Sequence, residues 1–102
     1  MVLTPQLRTL VETNLNNSMQ VFEEISGSKE GMEKFVKRWG GENNFYDFAH
    51  GFLIGQLLET GIMSARMTLL RALDDEEREE IIKMVENNTG RIKDLISRLK
   101  NA

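Results

Sequence analysis

Residues 43–61 read NNFYDFAHGFLIGQLLETG, and the fold turns on what this stretch is. It holds three of the five Phe, the only Tyr, the only His and three of the eight Gly, in a run that otherwise has helical spacing. Three readings compete: a membrane segment, a metal or catalytic site, and a packing seam.

A membrane-spanning helix needs about 20 apolar residues. Here the uncharged run from 51 to 58 ends at Glu59, and Asp47 and His50 lie just upstream. The Gly51-x-x-x-Gly55 spacing brings helices close together in membranes, and it does the same between soluble helices. No membrane partner is expected. Asp47 and His50 are three residues apart, one turn along one face, and could supply two metal ligands. Carboxylate-bridged di-metal bundles need an acid-x-x-His pair twice, together with two further carboxylates, and a single His cannot provide that within one chain. Glu59 lies about 18 Å farther along the helix, too far to share an ion with Asp47. Asp47 therefore reads as an acid in the first turn and His50 as a residue on the polar edge, with metal binding the lesser alternative. No serine has a base other than His50, and no glycine-rich loop has phosphate-binding spacing, so an enzyme is not expected.

Packing accounts for most of the stretch. With Phe45 placed at 0° on a helical wheel, Phe48, Ala49, Phe52, Met63, Met67 and Leu70 fall between about 300° and 40°. Gly51, Gly55, Leu58, Ile62, Leu69 and Leu73 fall between about 220° and 280°, and only about 60° to 160° is polar, with Thr60, Arg71, His50 and Thr68. So wide an apolar arc predicts a central helix with several neighbours, one of them admitted closely by Gly51 and Gly55.

The rest of the chain supplies those neighbours. Thr4-Pro5 opens a helix over 5–26, with Leu7, Leu10, Val11, Leu15, Met19, Val21, Phe22 and Ile25 on one side and Gly27 as its stop. A short helix over 29–39 turns Met32, Phe35, Val36 and Trp39 inward. The central helix, with Asn44 and Asp47 in a capping arrangement, spans 44–73. Asp74 caps a last helix over 75–100, where Ile81, Val85, Asn88, Ile92, Leu95 and Leu99 recur in steps of four and three. "NNTG" at 87–90 looks like a break, yet the apolar phase passes through it, so one continuous helix is expected. No strand pattern appears. The product is an all-α bundle of three long helices (5–26, 44–73, 75–100) and one short one (29–39), in a single domain over 1–102.

Composition agrees. The chain is 40% hydrophobic and 28% charged with one Pro, which fits a globular domain. A net charge of −3 offers no field for nucleic acid, and Lys34, Lys37 and Arg38 beside Trp39 read as a solvated face, offset by Glu30 and Glu33. The absence of Cys excludes thiol chemistry and disulfide scaffolds, and together with the lack of a signal-like start points to the cytoplasm. No cofactor is implied.

Some polar residues interrupt apolar faces: Glu59 and Arg66 on the central helix, Asn14 and Ser18 on the first, Asn88 on the last. Glu59 and Arg66 are seven residues apart. Antiparallel copies crossing near Ile62 and Met63 would bring each Glu59 against the other copy's Arg66, as in an isologous homodimer. Asn14 and Asn88 suggest a register pair between the first and last helices. Trp39-Gly40-Gly41 resembles the Trp-x-Gly turn of the small secreted helical hairpins known as the WXG family, in a chain of similar length. The interruption at "SGSKEG" and the lack of a Tyr-x-x-x-acid signal depart from that pattern, so no function is taken from it. The expectation is a non-enzymatic interaction module acting through protein contacts. Its oligomer, with a dimer favoured, would use Gly51, Gly55, Glu59, Ile62, Met63 and Arg66. The alternative is a regulatory or sensor domain that binds a small molecule among the Phe, Met and polar residues of the central helix.

Overall fold

The structure is a computed structural model. It describes residues 2–26, 29–39 and 45–100, and for 25, 26, 29, 45, 99 and 100 the backbone alone. Helices α1 (Pro5–Ser26), α2 (Lys29–Trp39), α3 (Phe45–Leu69), α4 (Asp75–Glu86) and α5 (Thr89–Lys100) form an all-α bundle, with no strand among the described residues. The expected stops at Gly27 and Gly40-Gly41 and the cap at Asn44 lie outside the described residues. The molecule measures 40 × 20 × 18 Å. Its long axis matches the 25 residues of α3, which span about 37 Å.

As expected, α3 is central and packs against α1, α4 and α5. It runs antiparallel to α1: Asn14 Nδ2 donates to Ser64 Oγ at 2.8 Å near one end, and the Phe22 and Phe52 rings meet at 6.1 Å near the other. Phe35 anchors α2 in a cluster of rings, edge-on to Phe22 at 6.0 Å and to Phe52 at 5.3 Å.

The face that α3 buries differs from the expected one. Its buried stripe is Ala49, Leu53, Leu57, Gly61 and Ala65, one residue every four. On the wheel these run from about 40° to about 200°, through the arc marked as polar by Thr60, His50 and Thr68. Two properties put the core there. Two hydroxyls on this side are satisfied by their own helix, with Ser64 Oγ donating to Thr60 O at 2.7 Å and Thr68 Oγ1 to Ser64 O at 3.0 Å. A hydroxyl bonded in this way can border a core at little cost. The stripe is also narrow where it must be: a Cβ on Gly61 would stand 2.7 Å from Ile81 Cγ2 of α4 and 3.6 Å from both Leu15 Cδ2 and Val11 Cγ1 of α1. Three helices meet at that glycine. By contrast, nothing lies within 4 Å of a Cβ built on Gly51 or Gly55, so neither admits a helix of this chain.

The end of α3 also departs from expectation, because the helix stops at Leu69 and not at 73. Leu70 takes φ 58°, the left-handed conformation, while its amide still donates to Arg66 O at 2.8 Å. A leucine in this conformation costs roughly 1–2 kcal/mol, since its Cβ crowds the following carbonyl. The corner beyond it provides offsetting bonds. Asp74 caps α4 as expected, with Glu77 N donating to Asp74 Oδ1 at 2.8 Å and Asp74 N to Glu77 Oε1 at 2.9 Å. Arg71 clamps the same Glu77 carboxylate through Nη1 and Nη2 at 2.7 and 2.8 Å. The reversal carries Leu73 into the core.

The continuous helix expected over 75–100 is two helices. Asn88 N donates to Val85 O, one residue short of the helical pattern, and the ladder breaks. Side chains then take the carbonyls of the last turn of α4: Asn88 Nδ2 donates to Met84 O at 2.8 Å and Thr89 Oγ1 to Glu86 O at 2.5 Å. The break therefore leaves those groups bonded, and the apolar phase survives it, with Ile81, Val85, Ile92 and Leu95 all buried. Asn88 is thus committed within its own turn and Asn14 to Ser64, so the two do not form the expected register pair. Ser18 is buried, and its Oγ has no hydrogen-bond partner among the described residues. Near the start of the chain, Glu80 of α4 accepts from Val2 N, Leu3 N and Arg8 Nη1 at 3.0, 2.8 and 2.9 Å, tying the segment before α1 to α4.

Two outcomes follow from this packing. In chemical denaturation, Gly61→Ala should destabilise the protein by about 1–3 kcal/mol through overpacking against Ile81. Gly51→Ala should stabilise it by up to about 1 kcal/mol, since a helix gains by losing a glycine. The second outcome concerns pH. The Glu77 carboxyl is held at about 2, below its ordinary 4.5, by its bond from the Arg71 guanidinium and then by the Asp74 amide, against the opposing push of burial. A carboxyl that ionises more readily folded than unfolded stabilises fully above its unfolded value and loses that contribution as pH falls through its folded one. Melting temperature should therefore fall as pH is lowered from 4.5 towards 2, and less steeply in Glu77→Gln.

Candidate functional site

The residues singled out in the sequence sit on one helix, α3, and mostly on its solvent side. Glu59, Arg66, Gly51 and Gly55 are exposed, Ile62 is half-buried against the core, and Met63 is 42% exposed. Three more apolar side chains join them. Phe52 is 44% exposed, Met67 70% and Leu70 87%. Phe52, Gln56, Glu59, Met63 and Arg66 are spaced four, three, four and three residues apart, steps that keep side chains on one seam of a helix, and Leu70 stands at its end, its amide bonded to Arg66 O.

Why this seam lies open follows from the neighbours of α3. Helices α4 and α5 and much of α1 cover the Leu53–Leu57–Gly61–Ala65 side. On the opposite side α2 docks through Phe35 onto Phe48 and Phe52, near the start of α3. At 11 residues, about 16 Å, it is too short to run the length of α3. From Gly55 onward the seam has no covering helix, and Met63, Met67 and Leu70 face solvent. Glu59 and Arg66 form no ion pair among the described residues, so both charges are presented outward. Neither interrupts a buried core.

Asp47 and His50 both lie near the start of α3. His50 stacks on Tyr46 with ring centroids 5.9 Å apart, and its shielded Nε2 has no hydrogen-bond partner among the described residues. Asp47 is exposed, and no group of three metal-ligating side chains occurs among the described residues. Among the Phe and Met residues of α3, Phe48 and Phe52 pack against the Phe35 ring, and Met63 and Met67 are exposed. A concavity of about 290 Å³ lies between α1 and the α4–α5 break, lined by Arg8, Glu12, Asn16, Met84, Asn88 and Arg91 among others. Arg8 and Glu12 pair there at 3.3 Å, and Arg91 bonds Asn16. A second exposed feature is the basic end of α2, where Trp39 is 65% exposed beside Lys37 and Arg38, while Lys34 pairs with Glu30 at 3.1 Å.

Comparison with known proteins finds no matching family model, no matching curated protein and no matching solved structure. The resemblance at Trp39-Gly40-Gly41 is thus left with those residues alone, and only Trp39 is among those described. No helix of the described residues is long and apolar enough to cross a membrane.

Sequence reading missed Met67 and Leu70 as surface residues because they share an arc with Phe48 and Phe52, which are apolar by the same measure. The available signal was Gly61 followed by Ala65, the small pair on the other side that marks the closest helix approach. Placement of the seam outside the core sets an expected outcome. Met67→Glu should change folding free energy by less than about 1 kcal/mol, whereas Leu57→Glu, which buries a charge, should prevent folding; circular dichroism with urea titration distinguishes the two.

Proposed function

We propose that this chain is a non-enzymatic helical module that works through protein–protein contacts as a homo-oligomer, and that the uncovered seam of α3 is its working surface. One observation carries the reading. Phe52, Met63, Met67 and Leu70 of one side of the central helix and its end are exposed, while the core is built on the side of Leu53, Leu57, Gly61 and Ala65. A contiguous exposed apolar strip rimmed by charge is the usual mark of a surface that another molecule covers. Methionine suits that task, because its flexible, polarisable side chain adapts to the shape of what it meets.

The reading is tested by comparing the wild type with the double variant Met63→Glu, Met67→Glu, in sedimentation and in quantitative capture from extract. The wild type should associate, with itself or with another protein, and the variant should lose that association with its circular dichroism unchanged. Association indifferent to the variant, or a wild type that associates in neither assay, overturns the proposal.

A further inference from the structure

The seam contains a pattern that defines its own complement. Glu59 and Arg66 are exposed and equidistant from a point between Ile62 and Met63. In an antiparallel pairing about that point, each residue faces the one equally far on the other side of the axis. Glu59 then faces Arg66, and Gly55 faces Leu70. These last two differ most in shape on the whole seam. Outside its own turn of helix, Gly55 has no described atom within 4 Å of where its Cβ would stand, and Leu70 is the most exposed large apolar side chain described, at 87%. An uncovered hollow and an uncovered knob thus lie at matched distances from the centre of a charge pair that is complementary to itself.

We infer that the occupant of the α3 seam is a second copy of this chain, paired antiparallel about a two-fold axis between Ile62 and Met63, with Leu70 of each copy seated on Gly55 of the other. This inference rests on the reading of the seam as the working surface and adds the identity and register of what covers it. The pairing is isologous, so each contact occurs twice. Opposite charges face each other at Glu59 and Arg66, apolar side chains meet at Ile62 and Met63, and the bare backbone at Gly55 admits the Leu70 side chain. The short helix α2 does not obstruct the approach. Phe52, where α2 docks, falls opposite position 73 of the other copy, past the end of its α3. The half of the seam that α2 leaves open is therefore the half that the second copy covers.

The chain has no Cys, which allows a direct test. Gly55→Cys and Leu70→Cys are made as separate single variants and mixed under mild oxidation. Within one chain the two positions are about 22 Å apart along the helix, so a link between them must join two molecules. The mixture should give a covalent heterodimer, and neither variant alone should give one efficiently. In sedimentation the wild type should form a concentration-dependent dimer, and Gly55→Leu should weaken it by about tenfold or more through steric conflict with Leu70. The same change should leave the monomer at least as stable, because the space around Gly55 is open and leucine is the better helix former. Glu59→Arg and Arg66→Glu should each weaken the dimer by about two- to fivefold, and combining them should restore it. A wild type that stays monomeric at high micromolar concentration overturns the inference, and so does a dimer insensitive to Gly55→Leu. Cross-linking of either single variant with itself in preference to the mixture overturns the register. None of these results removes the α3 seam as a surface for another protein, which the Met63 and Met67 variants test separately.

Discussion

The close approach of α1 and α4 to α3 at Gly61 is the constraint from which the rest of the architecture follows. A methyl group there would overlap Ile81, so the three helices come together only where α3 has no side chain. Once that contact is made, the side of α3 facing the bundle must be the one carrying Gly61 and Ala65, with Leu53 and Leu57 continuing it. Close packing at a three-helix junction selects small volume as strongly as it selects apolarity, since interiors are packed to crystal-like density. Ser64 and Thr68 donate to the carbonyl one turn before them, and Ser64 also accepts from Asn14 of α1, so these hydroxyls do not oppose the choice. Met63, Met67 and Leu70 are left outside as a consequence.

The two departures from helical continuity share a cause. At the end of α3 and at the α4–α5 break, polar side chains take over backbone groups that a helix would otherwise satisfy. Asp74, Glu77 and Arg71 form a closed set of bonds that holds the corner after Leu70. Asn88 and Thr89 serve the carbonyls of Met84 and Glu86 across the break. Each arrangement lets the chain change direction without leaving buried groups unpaired, which would cost roughly 1–3 kcal/mol apiece. The corner has a further effect. By ending α3 at Leu69 it holds Leu70 in a left-handed conformation and presents it, nearly bare, at the end of the exposed seam.

The short helix α2 and the exposed seam belong together. Phe35 closes one end of the α1–α3 pair with a cluster of four rings, and the other end stays open because α2 runs out of length. A bundle covered in full on one side and in half on the other has an incomplete surface. Its open half carries the residues best suited to a protein interface: flexible methionines, an exposed leucine and a lone charge of each sign.

Much was legible in the sequence alone. The class, the start of α1, the limits of α2 and the Asp74 cap are set by local chemistry, in which Pro, Asp and apolar periodicity act over a few residues. The ranking of α3 as the central helix was legible too, because an apolar arc wider than one neighbour can cover shows on a wheel. Glu59 and Arg66 stood out as polar interruptions of an apolar face. Only the tertiary structure decided which arc of α3 is inside. That choice depends on the fit of Gly61 to Ile81 and Val11, residues 20 and 50 positions away in sequence, and no local pattern records a distance between helices. The same holds for the break at Asn88, where an unbroken apolar phase is compatible with one helix or two until side chains claim the carbonyls. Composition and periodicity settled what the chain is made of, and steric fit between helices settled which face of α3 it shows to the outside.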